Sequence, residues 1–173
     1  MAVPAGVRKL KKQKRATVRK VPDIGLGIKL RDGNAVFNKV LREKLAQHNI
    51  TFSQYQHLRQ LWQEDGLAQV ELSRRIGIET ASSTAVIDQL EKLGFIRRKR
   101  DVADRRRIIV NLTSSGRTLE KPLDGCAIAV NLRARSGLTN AQIVSLFETI
   151  EKIIDNLAGK SRKAQRYGAG ASS

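Results

Sequence analysis

Residues 66–113, GLAQVELSRRIGIETASSTAVIDQLEKLGFIRRKRDVADRRRIIVNLT, leave this chain few ways to fold. A short helix carrying Leu72 and Ile76 runs to Gly77, where a tight corner favours a residue without Cβ. A second helix starts at Glu79 or Thr80 and ends near Leu93 and Gly94. Leu72, Ile76, Ile78, Val86, Ile87 and Leu90 are spaced to lock the two helices at a steep angle, as in a helix-turn-helix. The other face of the second helix is left free. Its first turn and a half offers Thr80, Ala81, Ser82 and Thr84, small and mostly hydroxylated. Such a helix N-terminus can sink into a groove and meet phosphates and base edges.

Two strand-like runs follow, residues 95–100 and 107–112, joined by a charged tip over 101–106. From Arg97 to Arg107 there are seven Arg or Lys against two Asp, a local charge of +5. A helix-turn-helix followed by a basic hairpin is a winged helix.

The segment LEKLGFIRRKRDVADRRRIIVNLTSSG resembles the signature of the multiple-antibiotic-resistance regulator (MarR) family. That signature has a recognition helix ending L-E-x-x-G, a wing D-x-x-D-x-R, and L-T-x-x-G opening the next helix. The likeness extends more loosely over residues 22–157. It implies a mainly α fold: a winged helix-turn-helix with a two-stranded β wing, and N- and C-terminal helices forming a dimerisation region. It also implies a homodimeric transcription regulator, usually a repressor released by a small, often aromatic or phenolic, ligand or by an oxidant. In this pattern the Asp104 and Arg106 positions shape the wing, with a salt-bridging role expected first. Two positions depart from the pattern: Ser83 stands where an apolar residue is common, and Ala85 where a longer polar one is common.

The net charge of +17 is concentrated. Residues 1–20 hold eight Lys or Arg and no acid, residues 159–173 hold four more, and with the hairpin these account for all of the excess. Positive charge gathered beside a helix-turn-helix points to a polyanion partner rather than to general solubility. Residues 1–20 and 159–173 read as disordered arms, residues 21–50 and 114–158 as dimerisation helices, and residues 51–113 as the DNA-binding domain. The aromatic content of 4% leaves a core of Leu, Ile, Val and Ala, in keeping with a mostly helical protein. No apolar run approaches the roughly 20 residues needed to cross a membrane. The single cysteine, Cys126, excludes an internal disulfide and suits a reducing cytoplasm, and the resemblance implies a bacterial or archaeal protein on the nucleoid.

Pro22 and Asp23 open a first helix running to Gln47 or His48, weakened by Gly25, Gly27 and Gly33 and so in need of packing partners. Thr51 caps the next helix, over residues 52–64, and Gly66 breaks it. Thr113 caps a helix that Pro122 should kink, and Gly137 ends it. Thr139 caps the last helix, where Ile143, Leu146, Phe147, Ile150, Ile153, Ile154 and Leu157 recur at helical steps. That stripe exceeds what one domain face needs, and the surplus predicts packing with the first helix and with a second subunit.

Thr80, Ala81, Ser82 and Thr84 are expected at the major groove, Gln69 at a phosphate, and Arg98, Arg100, Arg105 and Arg106 along the wing, with Arg105 entering the neighbouring minor groove. Without Arg, Asn or Gln on the recognition face, specificity should lean on groove shape. A symmetric dimer would place two such helices about 34 Å apart on a pseudo-palindromic operator. For an effector, a small aromatic or phenolic acid, the expected place is where the dimer helices meet the winged lobe. Arg31 would meet the acid there, with Tyr55, His57 or Trp62 lining the pocket, or else bridge to an acid across the dimer. Cys126, among apolar and small residues, reads as a buried structural thiol; the oxidant-sensing branch of the family carries its cysteine near the start of the first helix, and this chain has none there. No metal, cofactor or enzyme chemistry is expected, since two histidines and one thiol form no nucleophile–base set. The rival reading is an architectural nucleic-acid-binding protein that acts through its basic tails.

Overall fold

The computed structural model describes residues 25–159. The expected helix start at Pro22 and Asp23 and both basic arms lie outside them. Helix α1 (Leu26–Ala46) begins at Gly25, whose φ of 117° is open to glycine but not to a side chain. Its second half turns Leu41 and Leu45 into the core, whereas Leu26, Ile28, Leu30 and Val36 stand exposed. Asn49, at φ 57°, turns the chain into α2 (Phe52–Gln63). Thr51 closes a reciprocal capping box there: its hydroxyl accepts from Gln54 N at 3.2 Å, and Gln54 Oε1 accepts from Thr51 N at 2.9 Å.

Gly66 then reverses the chain into β1 (Leu67–Ala68), followed directly by α3 (Gln69–Ile76). Gly77, at φ 78°, makes the corner, and α4 (Thr80–Lys92) is the second helix of the helix-turn-helix. Strands β2 (Ile96–Arg100) and β3 (Ile108–Leu112) form the hairpin, with Arg98 opposite Val110. The wing is the expected two-stranded hairpin, and β1 extends its sheet by a third strand, antiparallel to β3 with Leu67 opposite Val110, giving the order β1-β3-β2. Two residues are too few to show a strand period, so the sequence carries no signal for β1 beyond the breaker before it. Asp65 fastens this corner, accepting from Leu112 N at 2.8 Å and pairing with Arg117.

The kink expected from Pro122 is instead a break. Helix α5 (Ser114–Thr118) ends at Leu119, and α6 (Glu120–Ala134) starts anew from it. Proline has no N–H to offer the carbonyl four residues back, and in the first turn of a new helix none is required. Helix α7 (Asn140–Ala158) follows, capped by Thr139 and Gln142 in a second capping box. The core gathers Leu45, Leu58, Leu61, Leu72, Ile87, Leu90, Ile96, Val110 and Leu123, all shut off from solvent. Of the stripe on α7 only Ile143 is buried. No helix among the described residues is long and apolar enough to cross a membrane.

Candidate nucleic-acid interface

The exposed face of α4 carries Thr80, Ala81, Ser82 and Ala85 in its N-terminal half, with Gln89 and Lys92 exposed further along. Its buried face is held to the body by Ser83, Ile87 and Leu90. Thr84, placed at the groove by sequence, is half-buried: its hydroxyl donates to Thr80 O at 2.8 Å and accepts from Gln69 Nε2 at 2.7 Å. Gln69 correspondingly turns its amide onto α4 rather than outward to a phosphate, and its Oε1 is buried without a partner. Ser83 replaces the usual apolar residue by a polar contact, a 2.9 Å hydrogen bond to His57 Nε2.

Arg98 also differs from expectation. On β2 it faces back to α4, donating through Nε and Nη2 to Glu91 at 2.9 and 2.6 Å and pairing with Asp88 at 2.7 Å. Its backbone N–H donates to the same Glu91 carboxylate at 2.8 Å. The guanidinium holds the Glu91 carboxyl below its ordinary range, with the backbone N–H acting the same way. Arg98 is therefore a strut between wing and recognition helix, not a free phosphate contact. Arg98→Ala is expected to cost about 1–2 kcal/mol, discounted because Asp88 is well solvated, and to lower the melting temperature by several degrees. Specific DNA affinity should fall as well; thermal melts by circular dichroism and fluorescence anisotropy would read the two effects.

At the tip, two aspartates organise the loop through backbone hydrogen bonds. Asp101 accepts from Ala103 N at 2.9 Å and Asp104 from Arg106 N at 3.0 Å. The ion pair at the tip is Asp101 with Arg107, at 3.8 Å, rather than Asp104 with Arg106. Arg100, Arg105 and Arg106 are exposed and make no ion pair among the described residues, and Val102 projects beside them.

A cavity of about 450 Å³ opens where α1, α2, α3 and α6 meet, lined among others by Phe37, Tyr55, Arg59, Arg75, Asp124 and Asn131. Of the four residues expected around an effector, Tyr55 alone lines it. Arg31 lies exposed and bound to Asp32 at 2.9 Å. His57 is in the core, and Trp62 spends its indole N–H on Gly116 O at 3.0 Å. Sequence reading missed Arg59, which lies one helical turn beyond Tyr55 and so on the same face of α2. Burial pushes the Tyr55 phenol up, countered by Arg59 and supported by Asp124. Arg75 is already held by Glu64 and Glu71 at 2.6 and 2.8 Å, and Arg74 and Arg75 together bring the Glu71 carboxyl down to about 2. Arg59 makes no ion pair among the described residues. Cys126 is buried, its thiol 3.8 Å from Lys44 O. No cluster of His, Cys, Asp and Glu among the described residues is placed to hold a metal.

The fold recurs in solved structures, and the sequence has known relatives. A family model described as the MarR family matches residues 50–108. The organic hydroperoxide resistance transcriptional regulator of Bacillus subtilis is 31% identical, the match covering 65% of this chain and 75% of that protein. The HTH-type transcriptional regulator TtmR of Methylorubrum extorquens is 29% identical over 79% of this chain and 69% of the relative. The crystal structure of a MarR transcriptional regulator from Methanosarcina mazei superposes with a TM-score of 0.72 at 25% identity, covering 78% of this chain and 96% of that one.

Proposed function

Because this chain belongs to the MarR family of DNA-binding transcriptional regulators, we propose that it is a dimeric repressor of a pseudo-palindromic operator, released by a small aromatic or phenolic acid. One observation carries the DNA part of this reading: an exposed hydroxylated first turn on α4, flanked by a wing whose Arg100, Arg105 and Arg106 remain unpaired among the described residues. In this reading Thr80, Ala81 and Ser82 enter the major groove, and Arg105 enters the minor groove beside it. Dimerisation is supported by the apolar side chains left bare on the first half of α1 and along α7, where Leu146, Phe147, Ile154 and Leu157 are exposed in the protomer. The effector reading rests on the cavity where α1 and α6 meet α2 and α3 of the winged lobe. There Tyr55 and Phe37 offer an aromatic wall, and Arg59, not Arg31, is the guanidinium left to meet a carboxylate.

The test is fluorescence anisotropy on a duplex that the protein has enriched from a randomised pool, against a scrambled duplex, followed by titration of the specific complex with aromatic acids. Preference for the first duplex and release by at least one acid are expected. Equal binding to both would return the chain to the architectural reading, and no release across a broad panel would remove the effector. Arg105→Ala should weaken binding to all duplexes. Since a dimer carries two wings, it should also flatten the log–log salt dependence by about two units, at ~0.9 per phosphate.

A further inference from the structure

Behind its DNA-facing surface, α4 is seated on polar contacts rather than on apolar packing alone. The Ser53 carbonyl can only accept, so the 2.7 Å contact with His57 places the ring hydrogen on Nδ1. His57 Nε2 then carries a lone pair, and at 2.9 Å it accepts from the Ser83 hydroxyl. Both side chains are 0% exposed, so neither group has water as an alternative. One residue further, Thr84 receives Gln69 from α3, and Gln54 of α2 reaches Gln89 at 3.4 Å. Residues 83 and 84 point about 100° apart around a helix, so grips from α2 and α3 at these two positions oppose rotation of α4 about its own axis. Apolar contact is non-directional and tolerates such rotation, whereas a hydrogen bond weakens steeply when misaligned. Beyond the first turn and a half of α4, Gln89 and Lys92 are exposed and Gln89 accepts from Gln54; within that first turn and a half the exposed side chains are only Thr80, Ala81, Ser82 and Ala85. Side chains this short cannot reach to correct a misplaced backbone as Arg or Gln can.

We infer that His57 is a positioning residue for base recognition: through Ser83 it sets the rotation at which the short side chains of α4 meet the major groove, and protonation of the imidazole abolishes that setting. The inference rests on α4 entering the groove. A proton added at Nε2 makes both ring nitrogens donors, so the Ser83 oxygen must accept and its hydrogen must find a new acceptor inside the core. The charged groups on the elements packed against α2 are Lys29, Arg31, Asp32, Lys39, Arg42, Glu43 and Lys44 of α1, Glu71, Arg74 and Arg75 of α3, Asp88, Glu91 and Lys92 of α4 and Glu120, Lys121, Asp124 and Arg133 of α6, with Arg59 on α2 itself. None hydrogen-bonds to the ring, and Glu71, Asp88 and Glu91 are already engaged by arginines. Burial pushes the imidazole pKa down, opposed in part by the Ser53 carbonyl. A folded-state value below the unfolded one gives stability that is present above the ordinary histidine value and is lost as pH falls through the folded value.

The experiment measures anisotropy from pH 7.5 to 5.5 at fixed salt on the enriched duplex and its scramble, with circular dichroism alongside. It uses the full chain, wild type and His57→Leu/Ser83→Ala. Removing both polar partners leaves neither side chain of the pair unsatisfied, and the carbonyl that loses the His57 Nδ1 donor belongs to exposed Ser53, so the double variant should keep its helices. The scrambled duplex corrects for the general, sequence-independent rise in DNA affinity as the protein gains positive charge on acidification. Wild type should lose preference for the enriched duplex progressively on acidification while still folded, approaching the about tenfold effect of one buried hydrogen bond only as the imidazole becomes fully protonated. The double variant should start about tenfold less selective at pH 7.5 and show no further pH dependence. A double variant as selective as wild type, or a wild-type preference that stays constant until the helices melt, would overturn the inference. No wild-type preference at pH 7.5 would instead overturn the operator reading, and this inference with it.

Discussion

Gly116→Ala is expected to destabilise the protein by about 3 kcal/mol or more, lowering its melting temperature by about 10 °C. Gly116 has ordinary helical geometry and is not required for a turn. It is required for space, because a Cβ there would lie inside the contact radius of the Phe95 carbonyl oxygen and press on Leu112. The obstacle is backbone, which cannot rotate away as a side chain would. Around the same point Thr113 donates to Gly94 O at 2.6 Å and accepts from Gly116 N at 3.1 Å, and Trp62 bonds to Gly116 O. The L-T-x-x-G motif is thus the joint at which the wing, α2 and α5 are closed together. Thermal denaturation by circular dichroism checks this, and a melting temperature within about 2 °C of wild type would mean that α5 slides off Phe95 at little cost.

Phe147→Glu should have the larger effect on DNA binding. Phe147 is 59% exposed in the protomer, so the substitution leaves the core intact and helical content should not change. In the proposed dimer the same side chain is covered, and two glutamates brought into an apolar contact would be desolvated without cations to pair with. Analytical ultracentrifugation should find monomers. Affinity for a two-half-site duplex should fall by about a hundredfold or more, because the second recognition helix no longer benefits from the first being bound. A dimeric Phe147→Glu protein with unchanged affinity would show that this face of α7 is not the subunit contact.

Much of the fold was legible because its signals are local. Thr51 with Gln54, and Thr139 with Gln142, are capping pairs three residues apart, and both close as capping boxes. Gly77 and Gly94 take the left-handed conformation that ends a helix, and the periodicity of Leu72, Ile87 and Leu90 marks residues that are fully buried. Where local reasoning was incomplete, a competing constraint decided the outcome. Proline geometry split the helix at Leu119 where a kink was expected, and β1 was too short to leave a pattern.

The candidate site was legible by position and much less so by role. Thr80, Ala81, Ser82, Arg100, Arg105 and Arg106 stand exposed, whereas Gln69, Thr84 and Arg98 are engaged within the protein, and Arg31, His57 and Trp62 lie away from the cavity. What the sequence by itself determined is the helix-turn-helix, the basic wing and the excess apolar surface of the last helix, because each follows from interactions between residues one or two turns apart. Only the tertiary structure decided which polar groups remain free for DNA or a ligand. His57 meets Ser83 across 26 residues and Trp62 meets Gly116 across 54. A polar side chain takes whichever partner the packed chain brings within about 3 Å, and sequence spacing does not encode that choice.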